Sequence, residues 1–159
     1  MQGYIEEKKV TLPLLLELFQ QAQYEASIND DGNFMVLAET ALVSVEVLTA
    51  GNLRLIRFTA MYKMKDQIPL DQKIAFANKL NNGAILARFS ILDTDHEAMN
   101  VVYHLPFWGG IGAYHVIAAF RMFVHVYAGV PSLLDSDHLI EYGTYPQLKE
   151  PLSGNRQTH

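Results

Sequence analysis

The chain has no cysteine in its 159 residues. That excludes disulfide staples, thiol catalysis and zinc–thiolate sites, and it fits a cytoplasmic setting. Charge is also sparse: charged residues make up 18% of the chain, and 17 acidic against 12 basic residues leave a formal charge of -5. Proteins that grip phosphate backbones concentrate Lys and Arg, so no nucleic-acid partner is expected. The catalytic signatures are missing too. There is no G-x-S-x-G elbow, no Walker A loop and no H-E-x-x-H pair. Met1 to Lys9 carries Glu6 and Glu7 before Lys8 and Lys9 and lacks the apolar core of a secretory leader. The longest apolar run, Ala113 to Val130, holds His115, Arg121 and His125 and falls short of the ~20 residues a membrane span needs. A soluble cytoplasmic protein with no membrane partner is the expectation.

What is present is apolar side chain: half the residues are hydrophobic. A chain of this length can bury a real core in a single domain. Leu12, Leu15, Leu16 and Phe19 recur at helical spacing behind Thr11 and Pro13, which predicts a first helix from Leu12 to about Ala22. Asn29-Asp30-Asp31-Gly32-Asn33 is a turn signal, with strands expected at Glu25–Ile28 and Phe34–Leu37. Ala41–Leu48 and Leu53–Met64 read as further strands. Along the second, Ile56, Phe58, Ala60 and Tyr62 take one face and Arg57, Thr59 and Lys63 the other. A middle helix starts near Pro69, turns Leu70, Ile74, Ala77 and Leu80 inward, and stops at Asn81-Asn82-Gly83 through a left-handed cap. A hairpin follows, with Ala87, Phe89 and Ile91 alternating against Met99, Val101, Tyr103 and Leu105, and it ends at Pro106. A last long helix is expected over Ala113 to Ala128, and Leu133 to Tyr142 reads as a short separate helix. The predicted order is α-β-β-β-β-α-β-β-α. This is an α+β architecture: an antiparallel sheet of about five or six strands with helices packed on one face. The domain is expected to span residues 1–130, with 131–159 a C-terminal extension that is partly disordered or docked.

Candidate chemistry is thin. The Asn29–Asn33 loop lacks the bidentate Glu of a calcium loop and reads as a hairpin turn. Asp93, Asp95, His96 and Glu97 crowd one turn without a closed coordination shell, so no metal or other cofactor is expected. His104 and His125 read as half-exposed surface residues. Gly109-Gly110-Ile111-Gly112 ahead of a helix can bind an anion through free N–H groups, but it lacks the dinucleotide fingerprint and reads as a strand-to-helix turn. Arg57 and Lys63 can pair with acidic groups of a partner or simply face solvent. Two places stand out for binding. Phe107 and Trp108 flank the glycine turn, and Trp is enriched at interface hot spots. The last helix is apolar almost all round, and its surplus arc at Met122 and Val126 asks for a second covering surface.

The Asn29–Asn33 turn, Ala77-Asn78-Lys79-Leu80-Asn81 closing the middle helix, and Tyr103-His104-Leu105-Pro106 leading to Gly109-Gly110 follow in order. Between Thr11 and Ala128 the chain so resembles the YbjN family, candidate bacterial sensory transduction regulators similar in fold to type III secretion chaperones. It departs in a second hairpin turn without glycine, in Trp108 and in the tail after Pro131. The family has no agreed catalytic residues. The resemblance implies a non-enzymatic protein that dimerises and acts on other proteins. The expectation is a homodimeric, chaperone-like or regulatory protein-binding module with Phe107, Trp108, Met122 and Val126 at its contacts. The alternative is a small-ligand sensor with an apolar pocket between sheet and helices.

Overall fold

Alternation of apolar and polar residues builds the sheet. In the strand Leu53–Lys63, every second side chain from Ile56 to Tyr62 is buried, while Arg57, Thr59, Met61 and Lys63 face outward. The computed structural model describes residues 3–38, 41–92 and 96–142. In chain order it contains β1 (Tyr4–Glu6), a 3-10 turn (Glu7–Lys9), α1 (Leu12–Gln21), β2 (Glu25–Ile28), β3 (Phe34–Ala38), β4 (Ala41–Ala50) and β5 (Leu53–Lys63). Then follow α2 (Leu70–Gly83), β6 (Arg88–Ile91), β7 (Ala98–Phe107), β8 (Gly110–Gly112) and α3 (Ala113–Leu134). Six strands form one antiparallel sheet in the order β2-β3-β4-β5-β7-β6, and β1 pairs with β8 in a second, two-stranded sheet. The α+β class and the six-stranded antiparallel sheet are as the sequence implies. The small β1–β8 sheet is an addition. Its strands are three residues long, too short for any periodic signal.

Helix α3 lies against the inner face of the sheet. Phe120 is the hub: its ring meets Phe19 of α1 edge-on at 4.7 Å and Phe58 of β5 at 5.5 Å, and Phe19 in turn meets Phe34 of β3 at 5.6 Å. These rings fill the centre of the layer between sheet and helices. Offset and edge-to-face ring pairs add about 0.5–1.5 kcal/mol each beyond their buried area.

Three helical expectations change. First, α2 is rotated: Lys73, Phe76, Ala77 and Leu80 are buried while Leu70 and Ile74 are exposed. Lys73 is only 3% exposed, and its ammonium donates to the His96 carbonyl at 3.0 Å. A long aliphatic stem can join an apolar stripe when its charged end finds an acceptor. Second, Gly83 belongs to α2 and is no left-handed cap, since the capping residue Ala84 is extended. A Cβ at Gly83 would sit 3.0 Å from Leu134 Cδ1, so this glycine lets α2 and α3 approach.

Third, α3 runs 22 residues to Leu134, straight through a buried Pro131. The helix thus continues past residue 130, and among the described residues no separate helix begins at Leu133. Proline lacks the N–H that would bond the carbonyl four residues back, which is Tyr127. The Tyr62 hydroxyl donates to that carbonyl instead. The Tyr127 hydroxyl donates to Met61 O at 3.0 Å, and the two rings stack 4.2 Å apart. At 22 residues α3 is long and apolar enough to cross a membrane by length and composition, so the length argument against a span fails. Here Val116, Ile117, Phe120, Phe123 and Tyr127 are buried in the core.

The chain after α3 folds back onto β5. Asp135 is buried and accepts the N–H groups of Leu139 and Ile140 at 2.7 and 3.2 Å. Lys65 N–H donates to Leu139 O, and Glu141 N–H to Lys63 O. Residues up to Tyr142 are thus docked; the rest of the expected extension lies outside the described residues. Both sheet edges are guarded by a helix amide. The Asn81 side chain bonds both the N–H and the carbonyl of Phe89 at 2.8 Å, and Gln20 donates to Ala26 O at 3.3 Å. Such pairing blunts edge-to-edge association.

Replacing Phe120 by Ala is expected to lower stability by about 3–5 kcal/mol, read as a fall in the urea midpoint at unchanged slope. A second expectation concerns alkali. The Tyr142 hydroxyl is pushed up to about 12, by burial first and then by the Asp135 carboxylate. Tyr127 is also raised, mainly by burial. Unfolded tyrosines lose their protons near pH ~10. Above that the native state holds more protons than the unfolded state, so stability falls as pH rises. The urea midpoint should drop between pH ~10 and ~12, and Tyr142→Phe should flatten the drop; an unchanged profile in that variant refutes the assignment.

Candidate partner-binding surface

Strand β7 does not stop at Pro106. It continues to Phe107, with Pro106 opposite Leu55 and Phe107 opposite Arg54. Strand β6 covers β7 only from Met99 to Val102, so a residue lacking an N–H is tolerated in this half-free stretch. The strand's alternation then decides the fate of two neighbours. Phe107 follows Met99, Val101, Tyr103 and Leu105 onto the inner face and is 5% exposed. It is a core residue and is withdrawn from the candidate contacts. Trp108, one position on, is 77% exposed.

The turn that carries Trp108 is held firmly. Gly109 (φ 72°) and Gly110 (φ 153°) take backbone angles that L side chains rarely adopt. A Cβ on Gly110 would lie 2.3 Å from the carbonyl oxygen of Ile5. Glu7 clamps Gly109 from both sides: Glu7 N–H donates to Gly109 O at 3.0 Å, and the Gly109 N–H donates to Glu7 Oε2 at 2.8 Å. Arg54 donates to the carbonyls of Glu7 and Val10, and its guanidinium sits 5.5 Å over the Phe107 ring. The Ala113 N–H at the start of α3 donates to Gly3 O at 2.9 Å. The Gly109 and Ala113 N–H groups are bonded to Glu7 and Gly3, so neither is free for an anion. The negative charge at this turn is Glu7's own.

Two further aromatics are exposed at the same end, and sequence reasoning passed over both. Tyr4 pairs with Gly112 across the small sheet, and its hydroxyl lies 3.6 Å from where a Gly109 Cβ would be. Tyr114 opens α3 and is largely exposed. The available signal was two tyrosines at the margins of a short strand and a helix; what joins them is the β1–β8 pairing. Met122 and Val126 lie further along α3, roughly 12 and 18 Å past Tyr114 at 1.5 Å per residue. Met122 is 50% exposed and Val126 is half-buried against the core. The aromatic end and the α3 flank are therefore separate patches.

The remaining candidates sit apart. His104 is exposed on the outer sheet face opposite Arg57, and His125 is exposed on α3. Arg57 is satisfied inside the chain by Glu46, at 2.7 and 2.8 Å, and Lys63 by Glu141 at 3.0 Å and Asp66 at 3.9 Å. The Glu141 hydrogen bond, then Asp66, raises the Lys63 ammonium above its ordinary value. Asn29 to Asn33 is a hairpin turn, with Gly32 at φ 79° and the Asn33 N–H bonded to Asn29 Oδ1 at 2.8 Å. Asp93 and Asp95 of the acidic turn lie outside the described residues. Among the described residues no group of three metal-ligating side chains occurs.

The chain has a YbjN-like fold. The solved structure of YbjN, a candidate transcription regulator from E. coli, superposes with a TM-score of 0.67 over 82% of this chain and 95% of that one, at 13% sequence identity. At that identity the likeness is one of architecture. No protein-family model and no curated protein matches the sequence.

Gly110→Ala should cost about 3 kcal/mol or more in urea unfolding, because it adds a backbone clash to the strained angle. Gly32→Ala, where a Cβ would meet open space, should cost only about 1–2 kcal/mol. Equal losses at the two positions would show that the Gly110–Ile5 approach does not matter.

Proposed function

We propose that this protein is a non-enzymatic regulatory module that acts by binding other proteins and works as a homodimer in the cytoplasm. The observation that carries the reading is Trp108: a large aromatic side chain, mostly exposed, on a turn fixed by Glu7 and Arg54. A braced turn loses little backbone freedom on binding, which favours the Trp it carries as an interface anchor. Tyr4 and Tyr114 extend the same end. The fold of a candidate transcription regulator is consistent with a regulatory role. The formal charge of -5 favours regulation through protein contacts over direct grip on DNA.

Self-association is assigned to the other patch. Met122 and Val126 share a flank of α3, one turn apart, and Met122 is exposed. Methionine is a common adaptable contact residue at interfaces. Light scattering at micromolar concentration should give twice the chain mass of 17.9 kDa. Met122→Glu should shift the protein to monomer with its unfolding midpoint little changed, while Trp108→Ala should leave the dimer intact and lose a partner that the native protein retains in a lysate pull-down. A monomeric native mass sinks the dimer, and equal partner recovery with Trp108→Ala removes the anchor.

A further inference from the structure

The aromatic end also carries an unpaired strand edge. Across the β1–β8 pair the Ala113 N–H donates to Gly3 O and the Glu7 N–H to Gly109 O, with Ile5 opposite Ile111 between them. In an antiparallel ladder, residues that exchange hydrogen bonds alternate with residues whose N–H and C=O point away from the partner strand. Gly3, Ile5 and Glu7 hold the bonded positions, so the main-chain groups of Tyr4 and Glu6 point to the other side. No second strand lies there, since β1 pairs with β8 alone.

Two observations bear on what could use this edge. The first is a contrast with the six-stranded sheet, whose outer strands carry a helix amide at Phe89 and at Ala26. Among the described residues nothing bonds the outward N–H and C=O groups of Tyr4 and Glu6. Two donors and two acceptors in strand geometry match another extended main chain. The second is the alternation of side chains. Tyr4 and Glu6 are exposed on one face and Ile5 is half-buried on the other, where Ile5, Leu14 and Leu18 line a cleft of about 230 Å³. The opposite edge of the pair, at Gly110 and Gly112, has no side chains with which to select a strand.

We propose that the partner binds at this end by strand addition: an extended segment lies antiparallel to β1 and makes the small sheet three-stranded. Its residue opposite Glu6 is basic, the next, opposite Ile5, is β-branched and apolar, and the third, opposite Tyr4, is aromatic. This rests on the reading of the aromatic end as the partner-binding surface and does not involve Met122.

The test is an NMR titration of the isotope-labelled full chain with the peptide acetyl-Thr-Lys-Val-Tyr-Thr-amide. Its Lys, Val and Tyr fall opposite Glu6, Ile5 and Tyr4. Without peptide, the Tyr4 and Glu6 amides should exchange with solvent faster than that of Ile5. The peptide should bind saturably and slow those two amides about tenfold or more. N-methylation of the peptide's Lys or Tyr removes an N–H aimed at β1 and should weaken binding about tenfold. N-methylation of its Val, whose N–H points away, should cost less than about threefold. Glu6 sits at φ -57°, an angle that proline takes. Glu6→Pro therefore removes one outward N–H while leaving the β1–β8 bonds in place, and it should weaken the peptide about tenfold. Glu6→Gln keeps that N–H and should cost less. Circular dichroism melting checks the fold of each variant, and the N-methyl series needs no variant at all. No saturable binding up to about 10 mM, Tyr4 and Glu6 amides already protected in the free chain, or equal weakening by all three N-methyl groups would each overturn the proposal. Should strand addition fall while Trp108→Ala still loses its partner, the aromatic anchor stands without it.

Discussion

The packing of Phe120 against Phe19 and Phe58 is the contact on which the rest of this molecule depends. It joins three elements far apart in sequence: α1, the central strand β5 and α3. Once α3 is laid on the sheet by these rings, its start is delivered to the small β1–β8 sheet and its end to the last turn of β5. The features at either end of the molecule follow from that placement. No single ring pair is large, at about 0.5–1.5 kcal/mol beyond its area, but each pair here shares a partner with another, so loss of the hub disturbs several at once.

At the far end, a proline that ought to break a helix is absorbed. Pro131 leaves the Tyr127 carbonyl without its helical donor, and the Tyr62 hydroxyl takes that place. The Tyr127 hydroxyl returns a bond to β5 through Met61 O. The helix therefore continues, and the chain beyond it bonds to Lys63 and Lys65. Asp135 organises this return by accepting two backbone N–H groups at once, as buried carboxylates must if they are to remain in the fold.

At the near end, polar groups brace one exposed aromatic. Nothing in the sequence links Glu7 to Arg54, yet together they fix the turn that presents Trp108. Helix amides cap the outer strands of the sheet at Phe89 and Ala26. Large exposed apolar side chains lie instead at the aromatic end and on the α3 flank.

Periodicity alone determined most of the sheet. The alternation from Ile56 to Tyr62 and the turn at Asn29–Asn33 placed strands and their inner faces, because side chains of a strand alternate by local geometry. The same rule, carried past Pro106, would have put Phe107 inside. Tertiary structure decided what local geometry cannot. It rotated α2 so that Lys73 went inward and Ile74 outward, since a carbonyl at His96 was there to accept the ammonium. It carried α3 through Pro131 because a tyrosine from another strand supplied the missing donor. It also gathered Tyr4, Trp108 and Tyr114 at one end through backbone pairing between two three-residue strands, whose hydrogen bonds leave no trace in side-chain pattern.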